Sequence, residues 1–554
     1  MTKLLFDALA SVRYEVVSYD GKTAVAQGGL GNPEISSLVF DSRHVGQGSL
    51  FFALPGTHTT GNLFIPQAIK NGAAAVVFQG DFDDRTIESI NEALELRKNR
   101  PVFVRVESAR LVMAPISARF YDNPSSRLAV IGVTGTEGKS STVSFVWQLL
   151  RLSGRKAGFI STVQYSLGGE AVPNPQHQTT PEATIIQRRL YEMAENGCEY
   201  AVIETSSHGL SPVLNRSGNV LFDCGIFMNV TLEHLEFHGT FERYRDDKAN
   251  LFRRLDEHNH EKSILGKNVR VPSFGIVNLE DPSAPYFINA TRQAVSGFAA
   301  EGRAISLPES PGSVRVLTAR NIVSSRERLS FDMTAPRSTG KDAASTEVFH
   351  VRAGLPGAFN AYNLMAAMEA VSRMTRTDIG EIVPLAEKVL PVKGRMTVID
   401  KGQPFELIVD YAHTPSSFET IFPPLRRRCP GKMIALFGSG GERDLKKRPL
   451  QGAIAARYCD VVILTDEDPR GEDRMELLRM IAAGAQKEGK ILDKDLFITP
   501  DRPAAIRQAL RIAGKDDIVL LLGKAHENSI IYKERTMPYD EISEAEKALS
   551  EIGF

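Results

Sequence analysis

Several features are scarce in this 554-residue chain, and each scarcity argues against a class of protein. The four cysteines, Cys198, Cys224, Cys429 and Cys459, form no Cys-x-x-Cys pair, which argues against a disulfide framework or a zinc site and favours a reducing compartment. The formal net charge is -1, so overall charge favours neither nucleic acid nor an anionic membrane. No window approaches the ~18 consecutive apolar residues of a membrane-spanning helix.

The N-terminal segment lacks the pattern of a secretion signal, because its apolar run is short and Asp7 interrupts it. We therefore expect no signal peptide and a cytoplasmic location. Hydrophobic residues make up 42% of the chain and charged residues 24%, which is typical of soluble globular proteins. At about 100–200 residues per domain, the length accommodates roughly three or four domains.

Residues 130–142 (VIGVTGTEGKSST) carry the most informative pattern that is present. An apolar run ends in a Gly-rich turn that leads directly into Lys139 and hydroxyl side chains, the layout of a phosphate-binding loop. Backbone N–H groups and Lys139 would bind phosphates, and one of the two following serines would reach a phosphate-bound Mg²⁺. The spacing is a variant of the common one, since Val133 stands five residues before Gly138. The pattern predicts that a nucleoside triphosphate binds here.

The flanking residues supply the context that such a loop needs. Val143, Val146, Trp147 and Leu150 recur at helical spacing, and Lys156–Ile160 is a further strand candidate. This βαβ start favours a nucleotide site over a Gly-rich turn without a ligand.

Strand and helix patterns alternate over most of the chain. A polar break at Asp122–Ser126 predicts one domain boundary, and a second is predicted near Val392. Short apolar strands separated by helices predict mainly parallel sheets that are covered on both faces. Residues 300–350 mix β-like runs with polar segments, which predicts an antiparallel appendage or an insertion loop.

Polar groups gather where several apolar runs end, and open α/β sheets bind ligands at such places. Glu204 is either a Mg²⁺ ligand or a helix-capping acid, and the residues alone do not decide between the two. His234 and His238 lack a third ligand nearby, so zinc is a weaker interpretation than a single histidine beside a nucleotide–Mg²⁺ site. Lys248 stands beside two acids, a pattern typical of a solvated helix surface.

Two further segments follow predicted strands. DYAHTP begins at Asp410, and GSGGERDLKKRP (438–449) combines glycine turns with basic residues that include Arg443. Such a combination suits an anionic ligand, although a basic surface loop would have the same composition.

In their joint order, these segments and others like them resemble the Mur ligases of bacterial cell-wall synthesis, and within that family the ligases that add a diamino residue as the third residue of the peptide. The motifs that carry the resemblance are TGTEGKSS (134–141), HQTTPE (177–182), ETSSHGL (204–210), NVTLEHLEFHGT (229–240), GAFNAYNLMAA (357–367), KGRM (393–396), DYAHTP (410–415), GSGGERDLKKRP (438–449), DEDPRGED (466–473) and GKAHE (523–527). They run nearly from end to end of the chain.

The resemblance implies an α/β protein of three domains: an N-terminal UDP-binding domain (1–126), a central P-loop ATPase with a mainly parallel sheet (127–392) and a C-terminal Rossmann-like domain that delivers the amino acid (393–554). It implies a ligase that uses ATP and Mg²⁺ to join UDP-MurNAc-L-Ala-D-Glu to lysine, ornithine or meso-diaminopimelate through an acyl phosphate. We further expect a monomer with no nucleic-acid partner and no membrane span.

The resemblance also assigns roles to individual residues. Those expected to be catalytic are Lys139, Glu204, His234 and Lys248. The expected metal ligands are Ser140, Glu204 and His234, and Lys248 is expected to carry a carbamate. The expected ATP contacts are Thr134, Gly135, Thr136, Glu137, Gly138, Lys139, Ser140, Ser141, Asn278, Asp281, Asn360, Arg395 and Asp410. The expected contacts to the UDP-muramoyl dipeptide are Ser42, Arg43, Thr179, Thr180, Ser207 and Arg216. The expected amino-acid contacts are Arg443, Asp468, Arg470, Gly523 and Glu527.

Three positions depart from the family pattern. Glu137 replaces an asparagine and is expected to point outward or toward the metal, because a carboxylate beside phosphates is electrostatically unfavourable. Ala525 replaces a glycine and is expected to shift the backbone near the amino-acid site. Asp468 replaces the asparagine of the DNPR motif typical of meso-diaminopimelate ligases. Its negative charge favours a terminal ammonium, so lysine or ornithine is expected to be at least as acceptable as meso-diaminopimelate.

Three alternatives stay open at this point. A folylpolyglutamate synthase-like ligase shares the ATP chemistry, but the DSR segment (41–43) and the diamino-acid motif argue against it. A P-loop regulator without a product would leave most of the motifs unexplained. An inactive paralogue is compatible with the departures at Glu137, Asp468 and Ala525.

Overall fold

The structure is a computed structural model, and it describes residues 1–24, 31–56, 59–176, 178–231, 233, 235–308, 314–336 and 346–554. Its strands and helices form three successive α/β groups, each with a main sheet of its own. Among the described residues, no helix is both long and apolar enough to cross a lipid bilayer.

The N-terminal group is built on a small sheet with helices packed against it. Its strands are β1 (Lys3–Leu4), β2 (Glu15–Val17), β3 (Glu34–Ile35), β4 (Ser37–Val39), β5 (Ser49–Phe52), β6 (Ala73–Phe78) and β7 (Val102–Arg105). Its helices are α1 (Leu5–Leu9), α2 (Ile65–Asn71), α3 (Asp84–Glu95) and α4 (Ala109–Phe120). The main sheet has the order β2-β7-β6-β5-β4, in which β4 to β7 are parallel and β2 is antiparallel.

The central group holds the predicted phosphate loop. Its strands are β8 (Ala129–Thr134), β9 (Ala157–Ile160), β10 (Gln164–Ser166), β11 (Val172–Pro173), β12 (Tyr200–Glu204), β13 (Cys224–Phe227), β14 (Glu261–Ile264), β15 (Lys267–Arg270), β16 (Phe274–Asn278), β17 (Ala294–Ala300), β18 (Arg315–Ser324), β19 (Leu329–Pro336) and β20 (Thr346–Ala353). Its helices are α5 (Lys139–Leu152), α6 (Ala183–Glu195), α7 (Ser207–Leu210), α8 (Leu235–His238), α9 (Phe241–Arg253), α10 (Ala284–Ile288), α11 (Asn360–Thr375) and α12 (Ile379–Ile382).

The central sheet has the order β11-β10-β9-β12-β8-β13-β16-β17-β18-β19-β20. Strands β9, β12, β8, β13, β16, β17 and β18 run parallel, and β10, β11, β19 and β20 form antiparallel edges. Residues 300–350 are predicted to form an antiparallel appendage or an insertion loop. In the described part of that segment, β18, β19 and β20 form antiparallel pairs that extend the edge of the main sheet.

The C-terminal group has a second parallel α/β sheet. Its strands are β21 (Thr397–Ile399), β22 (Glu406–Asp410), β23 (Met433–Phe437), β24 (Val461–Leu464), β25 (Leu496–Ile498), β26 (Ile518–Leu522), β27 (Ser529–Ile531) and β28 (Thr536–Pro538). Its helices are α13 (Pro415–Arg428), α14 (Lys447–Tyr458), α15 (Arg474–Lys487), α16 (Arg502–Ile512) and α17 (Glu541–Glu551). The sheet order is β21-β22-β26-β23-β24-β25, and every pair except β21–β22 is parallel.

The buried position of β8 shows why its residues are apolar without alternation. Ile131 and Val133 belong to the hydrophobic cluster on one face of the sheet, while Val130 and the preceding residue Leu128 belong to the cluster on the other. A Cβ at Gly132 would lie 2.4 Å from Leu251 Cδ1, so the sheet and helix α9 pack as closely as a glycine allows. The prediction of an α/β fold with mainly parallel, doubly covered sheets is confirmed.

Candidate active site

The Gly-rich turn lies between β8 and α5, at the carboxyl end of a strand in the interior of the sheet. Thr134 and Ser141 on either side of it are buried. Gly138 ends the turn with φ of 82°, a left-handed conformation that costs other residues about 1–2 kcal/mol. A Cβ at this position would also lie 2.7 Å from Asn363 Oδ1, on helix α11. Both the backbone and the neighbouring helix therefore require glycine here.

Asn229, which follows the adjacent strand β13, holds the turn in place. Its Oδ1 accepts hydrogen bonds from the backbone N–H groups of Thr136 (3.1 Å) and Glu137 (2.8 Å). Lys139 Nζ donates to the carbonyl oxygen of Thr136 at 2.7 Å. The sequence does not single out Asn229, although its place just after an apolar run and inside NVTLEHLEFHGT was an available signal.

Glu204 ends β12, which pairs directly with β8. Its Oε1 accepts a hydrogen bond from Ser140 Oγ at 3.0 Å, and its Oε2 accepts one from the backbone N–H of Thr162 at 2.8 Å. Both Ser140 and Glu204 are buried. A hydroxyl and a carboxylate oxygen are ligands of the kind that Mg²⁺ prefers, so the residues present fit this ion. The third predicted ligand, His234, lies outside the described residues.

Lys248 is buried rather than solvated, which makes the surface interpretation of its sequence pattern wrong. Lys248 is 2% exposed, and its Nζ donates a hydrogen bond to the carbonyl oxygen of Gly135 at 2.6 Å. The same nitrogen lies 4.5 Å from the centroid of the Tyr244 ring. Burial, and then repulsion by Lys139, lower the pKa of Lys248 well below its usual value, although nearby glutamates oppose the shift. A lowered pKa makes the neutral, nucleophilic form of this amine easier to reach than it is for an exposed lysine.

Three of the predicted ATP contacts are hydrogen-bonded to backbone groups of the central group. Asn278 Nδ2 donates to a carbonyl oxygen at 2.8 Å, and Asn360 Nδ2 donates to another at 2.7 Å. The Asp281 carboxylate accepts two backbone N–H groups, both at 2.7 Å, and burial raises its pKa. Asn360 Oδ1 accepts from Asn363 at 2.8 Å, which links this residue to the phosphate loop.

The C-terminal group lies against the phosphate loop. Arg395 Nη2 donates to Ser140 Oγ at 3.1 Å, and Thr414 Oγ1 donates to Glu137 Oε1 at 3.2 Å. Asp410 lies at the end of β22, where its carboxylate accepts two backbone N–H groups at 2.7 Å each. The Glu137 side chain therefore turns toward the C-terminal group instead of outward. Burial, followed by repulsion from a neighbouring glutamate, raises its pKa.

Four predicted contacts to the muramoyl dipeptide lie near Glu204, in space or along the chain. Thr180 Oγ1 donates to the carbonyl oxygen of Glu204 at 3.0 Å, and Arg216 Nη1 donates to the carbonyl oxygen of Thr180 at 3.4 Å. Ser207 begins helix α7, shortly after Glu204 along the chain. Thr179 is half-buried at the same turn. Burial lowers the pKa of Arg216.

Ser42 and Arg43 belong to the N-terminal group, in a short 3-10 helix (Ser42–His44) that follows β4. Ser42 is buried, whereas the Arg43 side chain is exposed and its guanidinium pairs with Asp41 at 2.6 Å. A substrate that contacts these residues and Thr180 spans the N-terminal and central groups.

Asp468 carries a paired negative charge. Its Oδ1 accepts hydrogen bonds from Lys524 Nζ at 2.8 Å and from the backbone N–H of Ile531 at 2.9 Å. Lys524 is fully buried and also donates to the carboxylate of Glu527. Burial lowers the pKa of Lys524, but the two carboxylates outweigh it and the pKa is raised, so this lysine stays charged. The sequence does not single out Lys524, although it lies inside the GKAHE motif.

The remaining predicted amino-acid contacts lie on turns of the C-terminal group. Arg470 and Gly523 have φ of 53° and 96°, and a Cβ at Gly523 would lie 2.9 Å from Glu467 Oε2. Arg443 is exposed on the turn after β23. Ala525 is buried with φ of 38°, which is consistent with a position where the family pattern has glycine.

Three family models match the chain in succession. They are described as Mur ligase family, catalytic domain (residues 34–121), Mur ligase middle domain (133–371) and Mur ligase, glutamate ligase domain (394–525). They fall within the N-terminal, central and C-terminal groups respectively.

Similar proteins are found over nearly the whole length. The UDP-N-acetylmuramyl-tripeptide synthetase of Treponema denticola is 52% identical over 529 residues, which cover 93% of this chain and 94% of that protein. A UDP-N-acetylmuramoyl-L-alanyl-D-glutamate--2,6-diaminopimelate ligase of Geobacillus kaustophilus is 35% identical over 523 residues, covering 94% and 96%. The crystal structure of MurF from Acinetobacter baumannii shares the fold, with a TM-score of 0.63 at 17% identity over 100% of this chain and 99% of that one. The chain belongs to the Mur ligase family.

Proposed function

We propose that this chain is the ATP-dependent ligase that adds a diamino acid to UDP-MurNAc-L-Ala-D-Glu in peptidoglycan synthesis. The observation that carries the proposal is the convergence on one loop of Lys139, the Ser140–Glu204 pair and the buried amine of Lys248. The extent of its identity to a tripeptide synthetase, 52% over 93% of the chain, supports the same activity.

The chemistry requires ATP because a carboxylate is a poor electrophile at neutral pH. A free carboxylate of the dipeptide attacks the γ-phosphorus of ATP, ADP leaves, and an acyl phosphate forms. The neutral amine of the diamino acid then attacks the acyl carbon, phosphate leaves, and the nitrogen loses a proton. The loop amides and Lys139 would offset the charge of the two anions as they approach, and positioning supplies much of the remaining rate enhancement.

Ser140, Glu204 and His234 are the residues that would hold Mg²⁺. When bound, the ion supplies positive charge that neutralises the phosphate oxygens. Ser140 and Glu204 are already joined by a hydrogen bond, which fixes the two oxygen ligands relative to each other.

Lys248 would carry a carbamate. Its neutral nitrogen bonds to the carbon of CO₂ and releases one proton. The lysine side chain, which is a cation when protonated, thereby becomes a carbamate anion beside the phosphate loop. The lowered pKa and the burial of Lys248 support this role, since a protonated ammonium does not react with CO₂.

The proposed domain limits are 1–126, 127–392 and 393–554, with the nucleotide part of the UDP substrate at Ser42 and Arg43. ATP would occupy the cleft between the central and C-terminal groups, where Arg395 reaches the loop serine. We further propose a cytoplasmic monomer.

Lysine or ornithine is proposed to be at least as good a substrate as meso-diaminopimelate. The two acids Asp468 and Glu527 share a single ammonium, that of Lys524. An excess negative charge favours a terminal ammonium over a terminal carboxylate. Arg470 could still bind a carboxylate bidentately, so meso-diaminopimelate is also a candidate substrate.

The test is a competition among equal concentrations of lysine, ornithine and meso-diaminopimelate, with ATP, Mg²⁺ and the UDP-muramoyl dipeptide, read out by mass spectrometry of the nucleotide product. We expect lysine or ornithine to be incorporated at least as fast as meso-diaminopimelate. A strong preference for meso-diaminopimelate would contradict the prediction that the negative charge at Asp468 favours a terminal ammonium. Absence of phosphate release with every amine would overturn the ligase assignment.

Asp468→Asn sharpens the same test, because it removes a charge at the site and is expected to shift selection toward meso-diaminopimelate. Asp473→Asn is the matched control. It removes one negative charge from the same segment but keeps the side-chain cap of helix α15, since asparagine caps helices as well as aspartate does. Selection should not change in this control.

A further inference from the structure

Glu182 joins the N-terminal group to the candidate active site through two arginines. Its Oε2 accepts a hydrogen bond from Arg110 Nη1 at 2.8 Å, and its Oε1 lies 3.2 Å from Arg216 Nε. Arg110 belongs to helix α4 of the N-terminal group, whereas Arg216 follows α7 in the central group. The side chain of Glu182 is 7% exposed. One buried carboxylate is therefore shared by guanidinium groups from two domains.

The segment that carries Glu182 is fixed at both of its ends. At one end, Thr180 donates a hydrogen bond to the backbone of Glu204 and accepts one from the backbone N–H of Ser206. At the other end, Ala183 begins helix α6 and belongs to a hydrophobic cluster of the N-terminal group. The backbone on either side of the carboxylate therefore places it, in addition to its two arginine partners.

Arg216 is held on one side by this segment. Its Nε faces Glu182, and its Nη1 donates to the carbonyl oxygen of Thr180 at 3.4 Å. Within the described part of the chain, no hydrogen bond is found for Nη2, so its two N–H groups are available to a ligand. An arginine stays protonated even where burial lowers its pKa, as it does here. A carboxylate or a phosphate suits such a planar, charged donor group best.

The charges of the three side chains do not cancel. Burial is the largest cause of the lowered pKa of Arg216; Glu182 opposes the shift, and repulsion by Arg110 adds to it. The two guanidinium groups therefore repel each other, and Glu182 is the carboxylate that both of them face. Without the charge of Glu182, this repulsion would be unopposed and Arg216 would lose the anion that holds its Nε.

A second ion pair on the same helix provides a comparison. Glu195 ends α6, about 20 Å along the helix from Glu182, and its Oε1 lies 2.8 Å from Arg127 Nη1. The side chain of Glu195 is 49% exposed. The same type of acid therefore pairs with the same type of base, but far from the predicted contacts to the dipeptide.

We propose that Glu182 and Arg110 are positioning residues that orient Arg216 toward an anionic group of the UDP-muramoyl dipeptide. This inference deepens the proposed function and rests on it, because Arg216 is one of the predicted contacts to that substrate. Glu182 acts through the direction in which it holds Arg216. Arg110 acts through Glu182, whose second oxygen it occupies. The N-terminal group thereby contributes to the dipeptide site as well as to the site of the nucleotide end.

Calorimetric binding of the UDP-muramoyl dipeptide to the full-length chain tests the proposal without catalysis. Glu182→Gln keeps the size of the side chain, but its amide has one acceptor oxygen for two guanidinium groups and no charge. We expect binding to weaken at least about tenfold in Glu182→Gln and in Arg110→Met, as for loss of a hydrogen bond to a charged group. Arg110→Lys should stay within about threefold of wild type, because an ammonium can replace the single hydrogen bond of Arg110.

Glu195→Gln is the matched control, since it makes the same change in the pair at the other end of α6 and should leave the affinity unchanged. If Glu182→Gln does not fold, the comparison of Arg110→Met with Arg110→Lys carries the test. In steady-state assays, KM for the dipeptide substrate should rise by the same factor as the dissociation constant. KM for ATP and kcat should change by less than about threefold, as expected when an interaction made equally in the ground and transition states is removed.

A double-mutant cycle shows whether Glu182 acts through Arg216. Arg216→Met alone should weaken binding, and the addition of Glu182→Gln should then weaken it by less than about threefold more, because no guanidinium is left to orient. Full additivity of the two losses would overturn the positioning role, since an effect of Glu182 on the fold alone would persist without Arg216.

UDP-N-acetylglucosamine, which carries the diphosphate but no peptide carboxylate, identifies the anionic group. A loss of affinity in Glu182→Gln for both ligands would assign the diphosphate, and a loss for the dipeptide alone would assign its carboxylate. Unchanged affinity of Glu182→Gln for the dipeptide would overturn the inference and leave the proposed function in place. If the wild-type protein does not bind the UDP-muramoyl dipeptide, the proposed function itself fails.

Discussion

Arg502 holds the two carboxy-terminal helices and two strand ends together, and replacing it with methionine is expected to destabilise this region by about 3–5 kcal/mol. Its guanidinium bonds both oxygens of Glu541, at 2.8 and 2.6 Å, and both residues are fully buried. It also donates to the carbonyl oxygens of Asp466 (3.0 Å) and Leu522 (2.7 Å), at the ends of β24 and β26.

The magnitude follows from what the substitution leaves behind. Without Arg502, the carboxylate of Glu541 is buried with only the hydroxyl of Tyr539 as a hydrogen-bond donor among the side chains that contact it here. An uncompensated buried charge of this kind costs about 3–5 kcal/mol, whereas replacing both partners by apolar side chains is often neutral. The double variant Arg502→Met/Glu541→Leu should therefore recover most of the loss.

Hydrogen exchange of peptides from α16 and α17 measures this effect locally, which suits a chain of several domains better than one global transition. Protection should fall by about a hundred- to several-thousand-fold in Arg502→Met, at about 1.4 kcal/mol per tenfold.

Arg507→Met is the matched control, because Arg507 joins the same two helices through the partly exposed carboxylates of Glu544 and Glu551. Each partly exposed pair contributes about 0–1 kcal/mol, so the loss of both should reduce protection by less than about 30-fold. Equal losses in the two variants, or a double variant as weak as Arg502→Met, would refute the reasoning.

Two further predictions concern the phosphate loop. Gly138→Ala should weaken ATP binding in calorimetry, because its Cβ meets Asn363 Oδ1, whereas Gly154→Ala, with φ of 80° and open space around it, should cost stability but not affinity. Lys248→Met should change how stability depends on pH. The folded pKa of Lys248 lies below the ordinary 10.5, so the unfolded chain binds the extra proton between those two values. The free energy of unfolding of the wild type should therefore rise relative to that of Lys248→Met as pH increases between those two pKa values. Parallel curves of unfolding free energy against pH for the two proteins would contradict a lowered pKa of Lys248.

Local pattern was sufficient to predict the strands and the phosphate loop. The segments Ala73–Phe78, Met433–Phe437 and Ile518–Leu522 are short apolar runs of the kind that predicts buried strands, and each forms a strand of a parallel sheet. The loop was identifiable because glycine, lysine and serine act there through positions that are adjacent in the chain.

Contacts between distant segments could not be derived in this way. Lys248 looked solvated because two acids stand beside it in sequence. In the fold, Asp247 bonds to His238, and the lysine amine is buried against Gly135. Likewise, Asp468 looked like a free charge because Lys524 lies on a different strand end and meets it only in the folded chain. Charge pairing across a sheet edge depends on topology, which no short window of sequence contains.

The approach of Asn363 to Gly138 means that the triphosphate loop is not an independent segment. One wall of its turn comes from a helix that is made more than two hundred residues later along the chain. A fragment that stops before α11 would contain the whole motif and still lack the wall that fixes its shape. During synthesis, the nucleotide site therefore cannot be complete until α11 has left the ribosome.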